Sequence, residues 1–163
     1  MTLKTCKSLL LATLLGSALS QTALAGDKAP GFVLPTNSGN ITLSEFKGKV
    51  IYLDFWASWC PPCRKSFPWL NEIQERYGRK GLAVVAINMD KNRDLAGTFL
   101  HRVPANFTVA YDPEGRVADS YQIQGMPSSY LIDRKGHIRA TYIGFREKDA
   151  SQLEKDLQTL LVP

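Results

Sequence analysis

Cys60 and Cys63, separated by Pro61 and Pro62, are the residues of this chain best placed to do chemistry. A C-x-x-C pair can supply half of a tetrahedral zinc site, or it can open and close as a disulfide. Zinc needs a second pair of ligands. The chain has no other C-x-x-C and no histidine pair, since His101 and His137 stand alone. The spacing therefore points to thiol–disulfide exchange. The neighbouring pattern sharpens this. Val50-Ile51-Tyr52-Leu53-Asp54-Phe55 is a short apolar, β-branched run of the kind that forms a buried strand. Phe67, Leu70, Ile73 and Tyr77 then recur at near-helical spacing up to Gly78, a residue that can stop a helix. Cys60 thus falls just before a helix and Cys63 in its first turn. Unpaired N–H groups and aligned amide dipoles at that position favour a negative sulfur, which makes Cys60 the better nucleophile. Cys63, one turn on, is placed to close a disulfide or to resolve a mixed one.

The elements that must hold this pair occupy residues 26–163. The first 25 residues read as a signal peptide. Lys4 and Lys7 give a positive start, Leu9 to Leu19 is an apolar run of eleven residues, and Ala23-Leu24-Ala25 is a small-x-small cleavage pattern before Gly26. A bilayer span needs about 20 apolar residues, so export with cleavage is expected rather than anchoring. Cys6 lies upstream of the apolar run and leaves with the signal. The mature chain then keeps one closely spaced cysteine pair, which closes almost no loop and is useful for its reactivity rather than as a staple. Loss of Lys4 and Lys7 takes the net charge from +5 to +3. With no block of basic residues and no aromatic-interleaved basic stripe, nucleic acid is not an expected partner.

At this length one domain with a full core is expected, and we read it as a monomer. Gly26 to Pro30 reads as a flexible lead-in. Phe32–Leu34 and Asn40–Thr42 flank Asn37-Ser38-Gly39 as a small hairpin, and Leu43–Phe46 as one helical turn. The strand to Phe55 and a helix from Pro62 to Tyr77 follow. Next come a strand at Leu82–Met89, a helix at Asp94–His101, a strand at Phe107–Tyr111 and a short helix at Val117–Tyr121. Tyr130–Ile132 and Ile138–Ile143 form a hairpin. A last helix starts near Asp149, with Asp149 as N-cap, Gln152 in the capping-box position, and Leu153, Leu157, Leu160 and Leu161 as its buried stripe. Alternating strands and helices followed by a hairpin predict an α/β chain whose mixed sheet is covered on both faces.

Taken together, Asp54-Phe55-Trp56-Ala57-Ser58-Trp59-Cys60-Pro61-Pro62-Cys63, Gly125-Met126-Pro127 and Leu43-x-x-Phe46-x-Gly48-Lys49 resemble the thioredoxin superfamily. Within it, the chain is most similar to the exported TlpA/ResA-like thiol–disulfide oxidoreductases. The similarity runs from Pro30 to Arg146. It implies a thioredoxin fold, a central mixed sheet flanked by helices, here with an N-terminal β-hairpin extension. It also implies roles for single residues. Pro127 matches a cis-proline that lies against the active-site disulfide, leaving the Met126 backbone to pair with an extended substrate segment and keeping metals from the thiols. Asp54, costly to bury in an apolar strand unless it is used, matches a buried acid that takes the proton of Cys63. Trp56 and Trp59 supply packing and contact surface, Pro68 matches a helix kink, and Gly144 would let backbone approach the groove.

Two positions depart from the pattern. Ser66 stands where ResA-like and cytochrome-maturation members commonly carry an acid, and Ser128 follows the proline where the latter tend to carry Glu. Both argue against a dedicated role in cytochrome c maturation. The expected activity is therefore reduction of disulfides in other exported proteins, with re-reduction by a membrane thiol donor, in the periplasm, without metal or bound cofactor. Oxidation or isomerisation by the same couple is the alternative within the fold. From other classes, a copper-site metallochaperone would use the two thiols with Met126 as the one nearby further ligand. A peroxidase would need a Pro, Thr and Cys loop where Trp56 to Trp59 stand.

Overall fold

A computed structural model describes residues 26–162, so the expected signal peptide and its cleavage point lie outside the described residues. Two apolar strands at the centre organise the rest. β3 (Val50–Trp56) and β4 (Leu82–Asn88) are buried at every position, which is why their sequences are continuous apolar runs rather than alternations. They pair in parallel, Val50 against Leu82 through Trp56 against Asn88. β5 (Thr108–Tyr111) extends the sheet in parallel beside β4. β6 (Ser128–Ile132) and β7 (Ile138–Ile143) extend it antiparallel beside β3, giving the order β5-β4-β3-β6-β7. The mixed sheet expected from the sequence is present. A separate two-stranded sheet, β1 (Val33–Pro35) with β2 (Asn40–Thr42), forms the N-terminal hairpin.

Helices α1 (Pro61–Tyr77), α2 (Arg93–Arg102) and α4 (Ala150–Leu161) cover one face. Their core includes Trp56, Phe67, Leu70, Ile73, Phe99, Leu153 and Leu157. α3 (Arg116–Ser120) and the hairpin cover the other, burying Phe32, Leu34, Val117 and Tyr121 against Ile51, Leu53 and Phe55. The period of two along β3 assigns its side chains: Ile51, Leu53 and Phe55 face the hairpin, Val50, Tyr52 and Trp56 face α1. Asp54 falls by the same count on the α1 face.

Several local expectations are corrected. Gly26–Pro30 is no free lead-in. Gly26 N–H donates to the Ile138 carbonyl and Ile138 N–H to that of Asp27, tying the segment to the start of β7. α1 ends at Tyr77 with Gly78 as its C-cap, where the sequence placed the stop, but the cap is not left-handed. Gly78 keeps right-handed backbone and the chain passes through a 3₁₀ turn, Gly78–Lys80, to Gly81. Gly81 has φ +100, and a Cβ there would meet an Arg134 nitrogen at 2.7 Å. Asp149 precedes α4 but its side chain caps nothing; it accepts from Arg146 Nε at 2.5 Å, and Gln152 pairs with Asp156 instead of forming a capping box. A capping box does join Thr42 to Glu45. In the α4 stripe Leu153 and Leu157 are buried, while Leu160 and Leu161 are half-buried. β6 begins at Ser128, two residues before the expected strand, directly after Pro127.

Candidate active site

The carboxyl end of β3 delivers the chain into a tight loop, Ala57–Trp59, and from there into α1. Cys60 is the N-cap of α1, in extended backbone, and Pro61 and Pro62 take the first two helical positions. Proline suits those positions because its fixed φ is helical and its missing N–H would have had no intrahelical partner. Cys60 and Cys63 are joined as a disulfide, with Cα atoms 5.3 Å apart. The Cys63 N–H donates to Cys60 Sγ at 3.2 Å, so the sulfur occupies the place of a capping oxygen. No other donor to this sulfur occurs among the described residues. Cys63 is fully buried, and Cys60 keeps 3 % exposure. What access there is lies at Cys60.

Asp54 is 1 % exposed. Its Oδ1 accepts the Ser129 hydroxyl at 2.7 Å, from the residue directly opposite on β6, and its Oδ2 has no hydrogen-bond partner. Burial disfavours the charge and pushes the carboxyl up to about 7, against the smaller opposing effect of the Ser129 hydrogen bond. No cation pairs with it among the described residues. The group is thus poised to gain or lose a proton near neutrality. Beside it, burial first and the Asp54 charge second raise the Tyr52 phenol.

The Met126–Pro127 peptide is cis. Pro127 is buried, and its carbonyl accepts the Gly144 N–H at 2.7 Å. Gly144 has φ +78 and nothing within 4 Å of where a Cβ would stand, so its left-handed backbone, not crowding, selects glycine. Met126 is half-buried, packs on the cluster that contains both cysteines, and has no backbone partner for its own N–H or C=O among the described residues. Trp59 is 66 % exposed, whereas Trp56 is buried between Phe67 and Phe99, ring centres 4.8 and 4.7 Å away. The two tryptophans thus part, Trp59 into solvent and Trp56 into the core. Pro68 lies inside α1, where it cannot donate to the Arg64 carbonyl.

The two serines at the departing positions turn onto backbone. Ser66 Oγ donates to the Cys63 carbonyl at 3.0 Å and Ser128 Oγ to that of Gly125 at 2.6 Å, both buried. Three residues not anticipated from the sequence also belong to the surroundings. Ser129 is the partner of Asp54, and Asn88 and Asp90 form a buried polar pair beneath the loop before Cys60. The polar residues breaking the apolar runs at 88, 90, 128 and 129 are the signal that would have found them. His137 lies in the β6–β7 turn, at the opposite end of β6 from Pro127, and among the described residues no three His, Cys, Asp or Glu side chains gather as a metal cluster.

A family model described as Redoxin matches residues 24–157. The chain belongs to the redoxin family. It is 35 % identical over 136 residues to the thiol-disulfide oxidoreductase ResA of a Bacillus cereus strain, covering 83 % of this chain and 78 % of that protein. ResA of Geobacillus kaustophilus is 30 % identical over 142 residues, covering 86 % and 80 %. Among solved structures, a Chlorobium tepidum protein assigned as the thiol:disulfide interchange protein DsbE superposes with TM-score 0.83 at 50 % identity, covering 84 % of this chain and 97 % of that one. Within the redoxins this is a TlpA/ResA-like thiol–disulfide oxidoreductase of thioredoxin fold, as its sequence motifs imply.

Proposed function

We propose that this redoxin is an exported disulfide reductase whose Cys60–Cys63 couple acts on other exported proteins. The observation that carries the direction is the hydrogen bonding of Cys60. Pro61 and Pro62 have no N–H, and the Cys63 amide is the one donor to its sulfur among the described residues. A thiolate with few donors is less stabilised, which makes the reduced form less stable and the couple more reducing.

In the reaction, the Cys60 thiolate attacks one sulfur of the substrate disulfide and expels the other as a thiolate. Met126, Pro127, Trp59 and Gly144 hold the substrate segment, the free Met126 backbone groups pairing with it. The Cys63 thiol gives its proton to Asp54, attacks Cys60 Sγ and releases the second substrate thiol. Two electrons have then passed to the substrate, and the enzyme is left as the disulfide. A membrane thiol donor restores the dithiol, so the chain needs no resident cofactor. The leader 1–25 directs export to the periplasm and is removed before Gly26, and the mature protein 26–163 works as a monomer. Among the described residues no helix is long and apolar enough to cross a membrane.

Equilibration of the couple with glutathione buffers tests the direction. We expect a potential nearer thioredoxin's about −270 mV than the about −120 mV of a strong oxidant. A value above about −180 mV would sink the reductase assignment. In the same preparation, Cys63→Ser should accumulate covalent partners through Cys60, and Cys60→Ser should turn nothing over. Titration with Cu(I) and assay with peroxide separate the metallochaperone and peroxidase alternatives.

A further inference from the structure

We propose that Asp90 is a positioning residue for Cys60, holding through Ser58 the loop that delivers this cysteine to the start of α1. The inference rests on the role of Cys60 as the attacking sulfur. Asp90 lies two residues past the end of β4 and is 4 % exposed. Its carboxylate has three donors. Oδ2 accepts the Ser58 N–H at 2.9 Å and Asn88 Nδ2 at 2.7 Å, and Oδ1 accepts the Ser58 hydroxyl at 2.9 Å. The Asp90 N–H in turn donates to Asn88 Oδ1 at 3.1 Å. Asn88 is fully buried and pairs with Trp56 across the sheet, so the clamp is founded on the two central strands. Met89 N–H donates to the Trp56 carbonyl at 2.8 Å, carrying the contact one residue beyond β4.

From Ser58 the mechanical path to sulfur is short. The Cys60 N–H donates to the Ala57 carbonyl at 3.1 Å, making 57–60 a turn with Ser58 inside it. Displacing Ser58 rotates that turn and carries Cys60 Sγ away from the Cys63 N–H, its one donor. Prolines on the helix side leave no second amide to compensate. Asp90 does not touch either sulfur through any hydrogen bond; it acts by fixing where Cys60 sits. A carboxylate suits the task because it accepts several hydrogen bonds at once, and those to a charged acceptor are stronger than neutral ones.

The test compares Asp90→Asn with Asp90→Ala in the reduced protein, reading Cys60 alkylation by iodoacetamide against pH from peptide masses. The asparagine can accept from Ser58 N–H and Asn88 through its carbonyl and donate to the Ser58 hydroxyl, so it keeps the clamp without the charge. It should alkylate with the wild-type midpoint. Alanine removes the clamp. Its midpoint should rise by about one pH unit, with about tenfold slower alkylation at pH 7, the loss expected from one hydrogen bond to a thiolate. Ser58→Ala, which removes a single bond at a partly exposed site, should shift the midpoint in the same direction and by less, and it serves where Asp90→Ala fails to fold. An asparagine midpoint displaced as far as the alanine one overturns the proposal, because charge and not anchoring would then be at work. So does a lowered melting temperature with an unmoved alkylation midpoint in Asp90→Ala, or in Ser58→Ala if that variant stands in for it. Faster alkylation of wild-type Cys63 than of Cys60 would instead overturn the assignment of the attacking sulfur, a separate result.

Discussion

Asp54→Asn should make the oxidised protein more stable, by a margin that grows from about pH 4, where the unfolded acid ionises, to its full size above about pH 7, where the native acid does. In the folded chain the carboxyl titrates at about 7, raised by burial from 3.8. In the unfolded chain it titrates near its ordinary value. Between those two values the folded state holds a proton that the unfolded state has released. Stability contributed by this group is therefore fully present below about pH 4, falls as pH rises, and levels off above about pH 7. The three-unit difference corresponds to about 4 kcal/mol. Asparagine has nearly the same shape, keeps an oxygen for the Ser129 hydroxyl, and leaves its NH₂ where Oδ2 already lacks a partner. At pH 4 wild type and variant each bury a neutral, half-satisfied group and should differ little. At pH 9 the variant avoids the buried charge. Urea denaturation of both proteins, disulfide intact, at pH 4, 6, 7 and 9 reads the difference directly, since all other titrating groups cancel. At a slope of about 1–3 kcal/mol per molar for a domain of this size, a full effect would separate the midpoints at pH 9 by more than about 1 M. Parallel curves, with a separation that does not change between pH 4 and 9, would mean that burial does not hold the Asp54 proton. Asp54 would then be ionised throughout or hydrated in a way the buried geometry does not provide.

The remaining expectations concern the same site and one nearby loop. Asp54→Asn should slow resolution of the mixed disulfide more than its formation, measured by stopped-flow with a disulfide peptide; equal slowing of both steps leaves the acid a structural residue. Pro62→Ala restores an N–H in the first turn. If that amide reaches Cys60 Sγ, the thiolate gains a hydrogen bond of about 1.5–3 kcal/mol, and the potential should rise by about 30–60 mV against glutathione buffers. Gln122 holds φ +55 in the loop leading to Pro127. Left-handed backbone costs a side-chain-bearing residue about 1–2 kcal/mol, so Gln122→Gly should approach that gain in urea, less the chain entropy glycine adds to the unfolded state.

What could be read from the sequence was whatever a short window of residues determines. β3 and β4 declare themselves because central parallel strands are buried on both faces, and α1 because Phe67, Leu70, Ile73 and Tyr77 repeat at its period. The strand-to-helix place of Cys60 follows from the two together. What could not be read depends on distant partners. Gly26–Pro30 looks free until β7 is present to bind it, and the left-handed turn that needs glycine falls at Gly81, φ +100, because the chain makes a further 3₁₀ turn past the α1 cap before entering β4. Asp149 has the residue type of a cap, but Arg146 takes its carboxylate. Ser58 and Asp90 are 32 residues apart, and nothing local to either announces the other.

The site contains two buried carboxylates, and their surroundings differ in the way the two proposed tasks require. A carboxylate oxygen whose lone pairs are occupied by fixed donors has little left to offer a proton in transit. Asp90 is in that condition, with both oxygens engaged and three donors aimed at it. Asp54 is not: one hydroxyl meets Oδ1, and Oδ2 is open on the face of β3 that carries Cys60, Cys63 and α1. The difference originates in sheet register. Asp54 sits within β3, where the opposite residue on β6 is Ser129 and the one on β4 is Ala86, so the neighbours supply one donor between them. Asp90 lies beyond β4, where the strands have parted and loop amides and hydroxyls are free to turn inward. On the roles proposed above, the same residue type serves as a proton acceptor inside the sheet and as an anchor just past its end. Exchanging those environments, rather than the residues, would be required to exchange their roles.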